Sequence, residues 1–490
     1  MPSVLFWKMF PCNDGLQGQC SIAACLEVRC KCYSSHILLD IDTVSTQTPP
    51  NNPPDIAWQI RTLSESAKAM ALRGQSEEAA KLYQKILEVA PHHVAALNFL
   101  AKRAMEQGDA HRSLELLERS VHANPERAMP YQNIGLVYKT IGEYDLALSA
   151  LDRALAIKPL YPMALLHKGS VLELLGRHRE ATHAYLRAWM QATDFQELRH
   201  SQQTLPHIRD LISHSADVII RAKIAMLNRA LSTLRTQHDA TELDRVEHFV
   251  GAYLGTMPPR YEHAMQRPAF LHFPDLQPQA FFERTDFDWI EELEAATPQI
   301  RTELLAVLRQ PEELQPYVQI NAPDTAQWKE LNYSLHWSSF HLYKAGTRIE
   351  PHCEQCPITA SIVEKLPLAR TPAQSPEVFF SILKPGTKIP PHFGLANYKL
   401  AVHLPLIVPE KCAIRAGNET RTWTEGQCLI FDDSFRHEAW NNSGEMRAVL
   451  IMDAWNPRLS AAERQAVAAV LGVIRDFDQE YGPDFLPGST

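Results

Sequence analysis

Residues 142–159 read GEYDLALSALDRALAIKP, and this order of glycine, small residue and proline recurs along the N-terminal half of the chain. Four glycines are spaced 34 residues apart, at Gly74, Gly108, Gly142 and Gly176. A small residue follows each glycine by five positions, and three prolines keep the same interval: Ala79, Ser113, Ala147, Ala181, Pro91, Pro125 and Pro159. Apolar residues between these positions recur at helical spacing. The pattern therefore predicts a series of helix pairs.

Each repeated residue in this pattern has a physical reason. Glycine suits the left-handed turn that ends a first helix, and a small residue lets the two helices of a pair approach closely. Proline then stops the second helix. A 34-residue repeat of helix, turn and helix is typical of tetratricopeptide repeats. We predict an α-helical repeat solenoid over residues 56–195, followed by a helical cap and spacer over residues 196–258.

Stacked repeats of this kind form a concave surface, which often holds a peptide or a partner protein. We therefore expect the groove of the repeats to hold a peptide or protein partner, including a peptide or protein substrate. The alternative is that the array is only a scaffold or a dimerisation surface.

Composition and charge narrow the class of protein. The chain has 490 residues, of which 45% are hydrophobic, and its formal net charge is −9. It has no run of Lys or Arg, so we expect no general affinity for nucleic acid. Its apolar stretches fall short of the ~18 uncharged residues that a membrane span needs. We expect a soluble protein of about three domains at ~150 residues each.

Five of the nine cysteines lie within the first 32 residues. The odd total, together with an N-terminus that lacks the pattern of a secretory signal, argues against a disulfide framework. We therefore predict a reducing, cytoplasmic location. Residues 1–55 end in a proline-rich stretch, and we predict that they form a disordered leader and linker.

Short β-rich runs replace the repeats beyond about Pro258. The predicted strands are Val378–Leu383, Tyr398–Val408, Cys428–Phe431 and Ala448–Met452. Many short strands separated by turns favour a sandwich or jelly roll, which we assign to residues 259–458. Helices are predicted near residues 289–308 and 461–477, the latter within a C-terminal helix and tail over residues 459–490.

Two histidines and an arginine in this half have a spacing with chemical meaning. His437 stands 45 residues after His392, and Arg447 begins the next strand. This is the layout of an iron oxygenase that uses 2-oxoglutarate. Imidazoles suit Fe(II), whose open positions accept a 2-oxoacid and O₂. A buried arginine can hold the far carboxylate of that co-substrate in bidentate geometry.

The usual third iron ligand is missing from this layout. A His-x-Asp motif would place a carboxylate at position 394, where this chain has Gly394. The site could be inactive, or water could fill the third position. The spacing alone also fits two surface or core histidines in a chain that has 21.

Residues from about Phe270 to Pro457 resemble the catalytic domain of the aspartyl/asparaginyl β-hydroxylase family. The matching stretches include Pro391–Gly394, His403–Leu404, Asn418–Trp423, Phe431–Trp440 and Trp455–Pro457. The iron of this family is held by two histidines without a carboxylate, so Gly394 agrees with the pattern. The resemblance implies a double-stranded β-helix (jelly-roll) fold, with His392 and His437 as the iron ligands.

The resemblance also implies a co-substrate pocket. Arg447 and Ser381 would hold the distal carboxylate of 2-oxoglutarate, and Trp337 and His403 would line the same pocket. His392, His437 and Arg447 are accordingly the predicted catalytic residues, with Fe(II), 2-oxoglutarate and O₂ as the cofactors.

One position departs from the family. An arginine often stands two residues before the histidine matched by His403, and here that position is Ala401. Lys399 has the same strand parity and could compensate, because side chains alternate faces along a strand. The alanine at position 401 is expected to affect the affinity for 2-oxoglutarate.

Other polar groups near these motifs have structural alternatives. We expect Cys353 and Cys356 to lie in a proline-rich loop and to be structural, not redox-active. The carboxylates of Asp432 and Asp433 could orient a ligand imidazole or form a turn. Trp423, together with Arg421, is expected to brace a loop.

The resemblance implies hydroxylation of the β-carbon of an Asp or Asn in a peptide. Relatives of this fold also act on lipid acyl chains or small molecules, so these are alternative substrates. A non-catalytic repeat adaptor with a degenerate oxygenase domain is the rival function, which Ala401 favours. A two-histidine cupin-type binder of a sugar or an acid would leave Arg447 unexplained.

Overall fold

A computed structural model describes residues 56–192, 194–320 and 326–481. The predicted leader over residues 1–55, with its five cysteines, lies outside the described residues. The chain divides into two compact units, whose main segments meet between Ala222 and Lys223. Within the described ranges, no helix combines the length and the apolar character needed to cross a lipid bilayer.

The first unit consists of helix pairs. In chain order its helices are α1 (Ile56–Leu72), α2 (Ser76–Val89), α3 (Val94–Glu106), α4 (Ala110–Ala123), α5 (Ala128–Thr140), α6 (Tyr144–Ile157), α7 (Pro162–Leu174), α8 (His178–Gln191) and α9 (Phe195–Leu198). The long helix α10 (Pro206–Gln237) follows them. The predicted solenoid of helix pairs is confirmed.

The repeated residues have the roles that their chemistry suggests. All four repeat glycines end the first helix of a pair with positive φ, from 73° at Gly176 to 86° at Gly142. The four small residues that follow them are at most 1% exposed, because the paired helices pack directly over them. The prolines lie just beyond the second helix of each of the first three pairs.

Replacing Gly142 with Ala tests the glycine rule without a steric complication. A Cβ at position 142 would have no heavy atom within 4 Å, so only the left-handed backbone disfavours it. We expect Gly142→Ala to lower the free energy of unfolding by about 1–2 kcal/mol, measured from the urea transition of helical circular dichroism. Gly142→Asn is the control and should lose less, since Asn tolerates this conformation. An alanine variant as stable as wild type would contradict this account.

The second unit combines helices with short and long strands. Its helices are α11 (Ala240–Tyr253), α12 (Ile290–Ala295), α13 (Thr297–Val307), α14 (Glu350–Gln355), α15 (Pro357–Lys365) and α16 (Ala461–Tyr481). Its strands are β1 (Phe281–Phe282), β2 (Gln315–Pro316), β3 (Trp337–Lys344), β4 (Thr347–Arg348), β5 (Val378–Leu383), β6 (Lys388–His392), β7 (Lys399–Ile407), β8 (Cys412–Ala416), β9 (Glu419–Arg421), β10 (Leu429–Phe431), β11 (His437–Asn441) and β12 (Arg447–Trp455).

These strands form two antiparallel sheets. The larger sheet has the order β1-β10-β7-β12-β5-β3-β2, with β4 paired to β3, and the smaller sheet has the order β6-β11-β8-β9. The predicted class, a helical repeat region followed by an antiparallel β-rich domain, is confirmed.

Alternation along the strands gives the larger sheet two different faces. One face carries Phe380 and Leu450, which pack with Leu304 of α13 and Val363 of α15 in a large apolar core. The other face carries the intervening residues, among them Ser381 of β5 and Arg447 of β12. This second face, together with the smaller sheet, holds the candidate site.

The predicted loop around Cys353 and Cys356 is wrong. Cys353 lies within α14, and Cys356 immediately precedes α15. Both thiols are buried, and burial raises the pKa of Cys356 to about 12. A thiol held neutral in this way is a poor nucleophile, which agrees with the predicted structural role.

Candidate metal and co-substrate site

His392 and His437 lie side by side on the smaller sheet. They are direct partners in the register of β6 and β11, and their ring centroids are 4.1 Å apart at an interplanar angle of 52°. Phe431 of the larger sheet lies 5.3 Å from the His437 ring, and Trp328 lies 5.2 Å from the His392 ring. Two strands that are 45 residues apart in sequence thus bring the predicted pair together.

Backbone hydrogen bonds set the tautomer of both rings. Nδ1 of His392 is 2.8 Å from the carbonyl oxygen of Pro390, and Nδ1 of His437 is 2.9 Å from that of Phe435. A carbonyl only accepts, so each Nδ1 carries the proton and each Nε2 keeps its lone pair. Burial lowers the pKa of both imidazoles, and for His437 the neighbouring His392 adds to the effect. Two neutral imidazoles with Nε2 lone pairs are suitable metal ligands.

The space beside Gly394 is filled by a carboxylate from another segment. A Cβ at position 394 would lie 2.1 Å from Cγ of Asp433, and the Gly394 amide donates to the Asp433 carbonyl at 2.6 Å. Any side chain at position 394 would therefore displace Asp433. The packing of Asp433 against Gly394 therefore leaves no room for a side chain two residues after His392.

The two neighbouring aspartates have different roles. Asp432 accepts hydrogen bonds from the backbone and hydroxyl of Ser434 and from Gln266, so it holds a turn. Oδ1 of Asp433 is buried and has no hydrogen-bond partner among the described residues. Burial raises the pKa of Asp433 to about 7. Neither carboxylate orients a ligand imidazole, since backbone carbonyls hold both Nδ1 atoms.

Arg447 is a buried cation without an anion. The residue is 1% exposed, and burial lowers the pKa of its guanidinium to about 10. Nη1 donates to the carbonyl and the hydroxyl of Ser381 at 3.3 Å, and Trp337 donates to the same hydroxyl at 3.1 Å. Nε has no partner, and Arg447 forms no ion pair within the described ranges. The guanidinium thus has hydrogen-bonding capacity that the described residues leave unused.

His403 and Trp423 connect this arginine to the histidine pair. Nε1 of Trp423 donates to Nδ1 of His403 at 3.3 Å, so the His403 proton is on Nε2, and burial lowers the pKa of this ring to about 3. Trp423 also lies under the Arg447 guanidinium at 5.0 Å. The Phe431 ring is 5.1 Å from His403 and 5.3 Å from His437. A chain of side-chain contacts therefore connects Arg447 to His437 through Trp423, His403 and Phe431.

The sequence predicts only that Trp423 braces a loop. Its contact with Arg447 could not be predicted, because the two residues are brought together only by folding. Arg421 does have a bracing role. It forms ion pairs with Glu283 and Glu419 and lies over the Phe281 ring.

Lys399 does not compensate for Ala401. Its ammonium is 2.8 Å from Oδ2 of Asp453, and both side chains are buried. Strand parity correctly places Lys399 on the same face as Ala401. Its ammonium is already paired with Asp453, so its charge is neutralised there. Ala401 instead packs among apolar residues that include Trp337 and Phe431.

The residues present fit an iron centre with two protein ligands. Two neutral imidazoles lie with their ring centroids 4.1 Å apart, and among the described residues the buried guanidinium of Arg447 has no anionic partner. Among the described residues, no group of three or more His, Cys, Asp or Glu side chains is arranged to hold a metal ion. A metal at this site would therefore have His392 and His437 as its protein ligands.

A double-mutant cycle tests the contact between Gly394 and Asp433. Gly394→Ala should lower the free energy of unfolding by about 1–3 kcal/mol, because its Cβ overlaps the Asp433 carboxylate. Asp433→Ala in the same chain should recover most of that loss, and chemical denaturation of the four proteins measures the coupling. Additive effects would show that the two positions do not compete for one volume.

Comparison with known proteins agrees with both halves of the chain. Residues 294–457 match the family model described as aspartyl/asparaginyl beta-hydroxylase, and residues 73–128 and 133–197 match a tetratricopeptide repeat model. Human aspartyl/asparaginyl beta-hydroxylase is 28% identical over 408 residues, which cover 81% of this chain and 48% of that protein.

A second relative is named for a different substrate. The ornithine lipid ester-linked acyl 2-hydroxylase of Rhizobium tropici is 38% identical over 184 residues, or 37% of this chain and 62% of that protein. Among solved structures, a crystal structure of MamA protein covers 34% of this chain and 92% of its own, with 22% identity and a TM-score of 0.27.

The chain spans about half the length of the human relative. The match to the hydroxylase family model lies within the β-rich unit and includes His392, His437 and Arg447. Residues 294–457 thus match the aspartyl/asparaginyl beta-hydroxylase family model, and they follow N-terminal tetratricopeptide repeats in the same chain.

Proposed function

We propose that the β-rich unit is an Fe(II)- and 2-oxoglutarate-dependent dioxygenase that hydroxylates an unactivated carbon. The observation that supports this most strongly is the Arg447 guanidinium, buried without an anion in the interior that holds the paired imidazoles. The hydroxylases among the relatives support the same class of reaction.

The charge of Arg447 argues for a dicarboxylate co-substrate. A buried charge without a partner costs several kcal/mol, and a ligand carboxylate would remove this cost. The guanidinium presents a planar set of donors suited to a carboxylate, while Ser381, itself held by Trp337, adds a hydroxyl. A 2-oxo diacid can place one carboxylate here and direct its 2-oxoacid end towards His392 and His437.

Bound Fe(II) would supply the activation of O₂ and the oxidation of the C–H bond. The chain's own residues bind, orient and exclude water. His392 and His437 present Nε2 lone pairs that their Nδ1 hydrogen bonds keep in place. His403 carries its proton on Nε2 and can donate it to a co-substrate oxygen. Phe431 and Trp423 fill the space between these groups with apolar surface.

The first candidate substrate is the β-carbon of an Asp or Asn in a peptide, delivered along the groove of the repeats. The relative from Rhizobium tropici makes a lipid acyl chain the second candidate. A small-molecule substrate would use the same interior without the repeats.

Succinate release tests the proposed reaction. With Fe(II), ascorbate and 2-oxoglutarate, we expect the wild-type chain to form succinate, slowly without substrate and faster with it. His392→Ala and His437→Ala should lose iron and at least ~10²-fold of the rate, since each removes one of two protein ligands. Arg447→Met should raise the concentration of 2-oxoglutarate needed for half-maximal rate, because it removes the cation that binds the carboxylate.

His238→Ala is the matched control, because His238 is a partly exposed residue whose imidazole Nδ1 is 3.0 Å from a carboxylate oxygen of Glu242. It should keep both the iron and the rate. Folded wild-type protein that neither retains iron nor forms succinate would contradict the proposal and would favour the non-catalytic adaptor.

A further inference from the structure

A cavity opens at the end of the smaller sheet where β11 begins. Its walls include Pro391, Arg415, Gly417, Asn418, Arg436 and Glu438. We call it the rim cavity. Its volume is about 220 Å³, which is below the ~300–1,000 Å³ of pockets that enclose a whole small molecule. The rim cavity therefore fits one chemical group of a larger ligand.

The rim cavity borders the backbone that carries both candidate metal ligands. Pro391 directly precedes His392, and Arg436 directly precedes His437. Glu438 of β11 lies opposite Arg415 of β8 in the register of the two strands. Because side chains alternate faces along a strand, Glu438 and Arg415 lie on the other face of the sheet from the His437 ring. The charged wall of the rim cavity is thus beside the histidine pair but on the opposite face of the smaller sheet.

Glu438 is the one carboxylate among the described residues that line the rim cavity. Its side chain is 3% exposed, its Oε2 is 2.8 Å from Nζ of Lys388, and its Oε1 accepts from Arg415. Burial alone would raise the pKa of Glu438, but the hydrogen bonds from Lys388 and Arg415 lower it, so this carboxylate is ionised near neutral pH. Two cations therefore share a single anionic partner.

Arg436 adds a third cation. It is exposed, and its guanidinium forms no ion pair with any residue that the structure describes. Its backbone is fixed on both sides, because its amide donates to the Met265 carbonyl at 2.8 Å and its carbonyl accepts from the Gly417 amide at 2.9 Å. Three cations against one carboxylate leave an excess of positive charge at the rim cavity.

The turn after β8 adds a further donor to the same wall. Gly417 has a φ of 58°, and a Cβ there would lie 3.3 Å from the Phe435 ring. Glycine therefore allows the chain to turn close to Phe435 and to bring the exposed Asn418 to the rim cavity. A carboxamide and a guanidinium both supply N–H donors that suit the oxygens of an anion.

We infer that the rim cavity binds the carboxylate of an Asp or Glu side chain in a peptide substrate, distinct from the residue that is hydroxylated. This inference rests on the proposed function and deepens its first candidate. The Arg436 guanidinium can hold a carboxylate in bidentate geometry, and tetratricopeptide repeats in the same chain favour a peptide as its source. Four extended residues span at most ~14 Å, so we expect the acidic residue within about four positions of the hydroxylated one.

Peptide binding to the full-length protein, with Mn(II) and 2-oxoglutarate present, tests the inference without turnover. Two randomised decapeptide libraries have a central Asn and no acidic residue, except that each peptide of the first has one Glu within four positions of the centre where the second has Gln. Peptides retained on immobilised protein are counted by mass spectrometry. We expect about threefold to fivefold preference for the Glu library, as for one partly exposed ion pair.

Variants at position 436 assign the preference to the rim cavity. Arg436→Gln keeps N–H donors but removes the charge, so it should abolish the preference for Glu, whereas Arg436→Lys should keep most of it. Arg309→Gln is the matched control, because Arg309 is an exposed arginine of the same unit that forms no ion pair within the described ranges. It should leave the preference unchanged.

Equal retention of the two libraries, retention of neither, or a preference for Glu that survives Arg436→Gln would overturn the inference. Calorimetry with dihexanoyl phosphatidic acid examines a lipid phosphate as the alternative anion. Binding of this lipid that is lost in Arg436→Gln, without retention of the Glu library, would also overturn the peptide assignment. Succinate formed without substrate by the same preparation tests the proposed function separately, so failure of one is distinguishable from failure of the other.

Discussion

Burial of the Arg447 guanidinium is the constraint on which the organisation of the β-rich unit depends. A cation in the interior must be solvated by the protein or by a ligand. The residues that the structure describes supply the Ser381 hydroxyl and carbonyl and the face of Trp423, but no carboxylate. This incomplete solvation is costly for the folded chain, and the proposed binding of an anionic co-substrate would remove that cost.

Charges are also balanced at the histidine pair and at the ion pair between Lys399 and Asp453. The imidazoles are neutral, and the carboxylate nearest to Gly394 comes from Asp433, which stands in a different segment. Lys399 and Asp453 neutralise each other. Among the described residues, Arg447 is thus a buried cation of the sheet interior without an anion, and the proposed binding of 2-oxoglutarate depends on it.

Much of this arrangement could be predicted because its signals are local or periodic. The glycines and small residues of the repeats have their effect within one helix pair, and the β5 and β12 strands follow from apolar runs. His392, His437 and Arg447 were recognisable because each begins or ends a strand beside a distinctive motif. The partner of Lys399, the contact of Trp423 with Arg447 and the approach of Asp433 to Gly394 depend on segments brought together only by folding. The helices around Cys353 and Cys356 were missed because prolines, which there stand in the first turn of α14 and α15, were interpreted as signs of a loop.

The most direct measurement of the central claim is an anaerobic titration of the iron-loaded protein with 2-oxoglutarate, followed by the visible charge-transfer absorption of an Fe(II)–2-oxoacid chelate. The account predicts a saturable band in wild type, its loss in His437→Ala, and a much weaker affinity for 2-oxoglutarate in Arg447→Met. A folded, iron-containing wild-type protein that develops no band, or an Arg447→Met variant that binds 2-oxoglutarate as tightly as wild type, would contradict it.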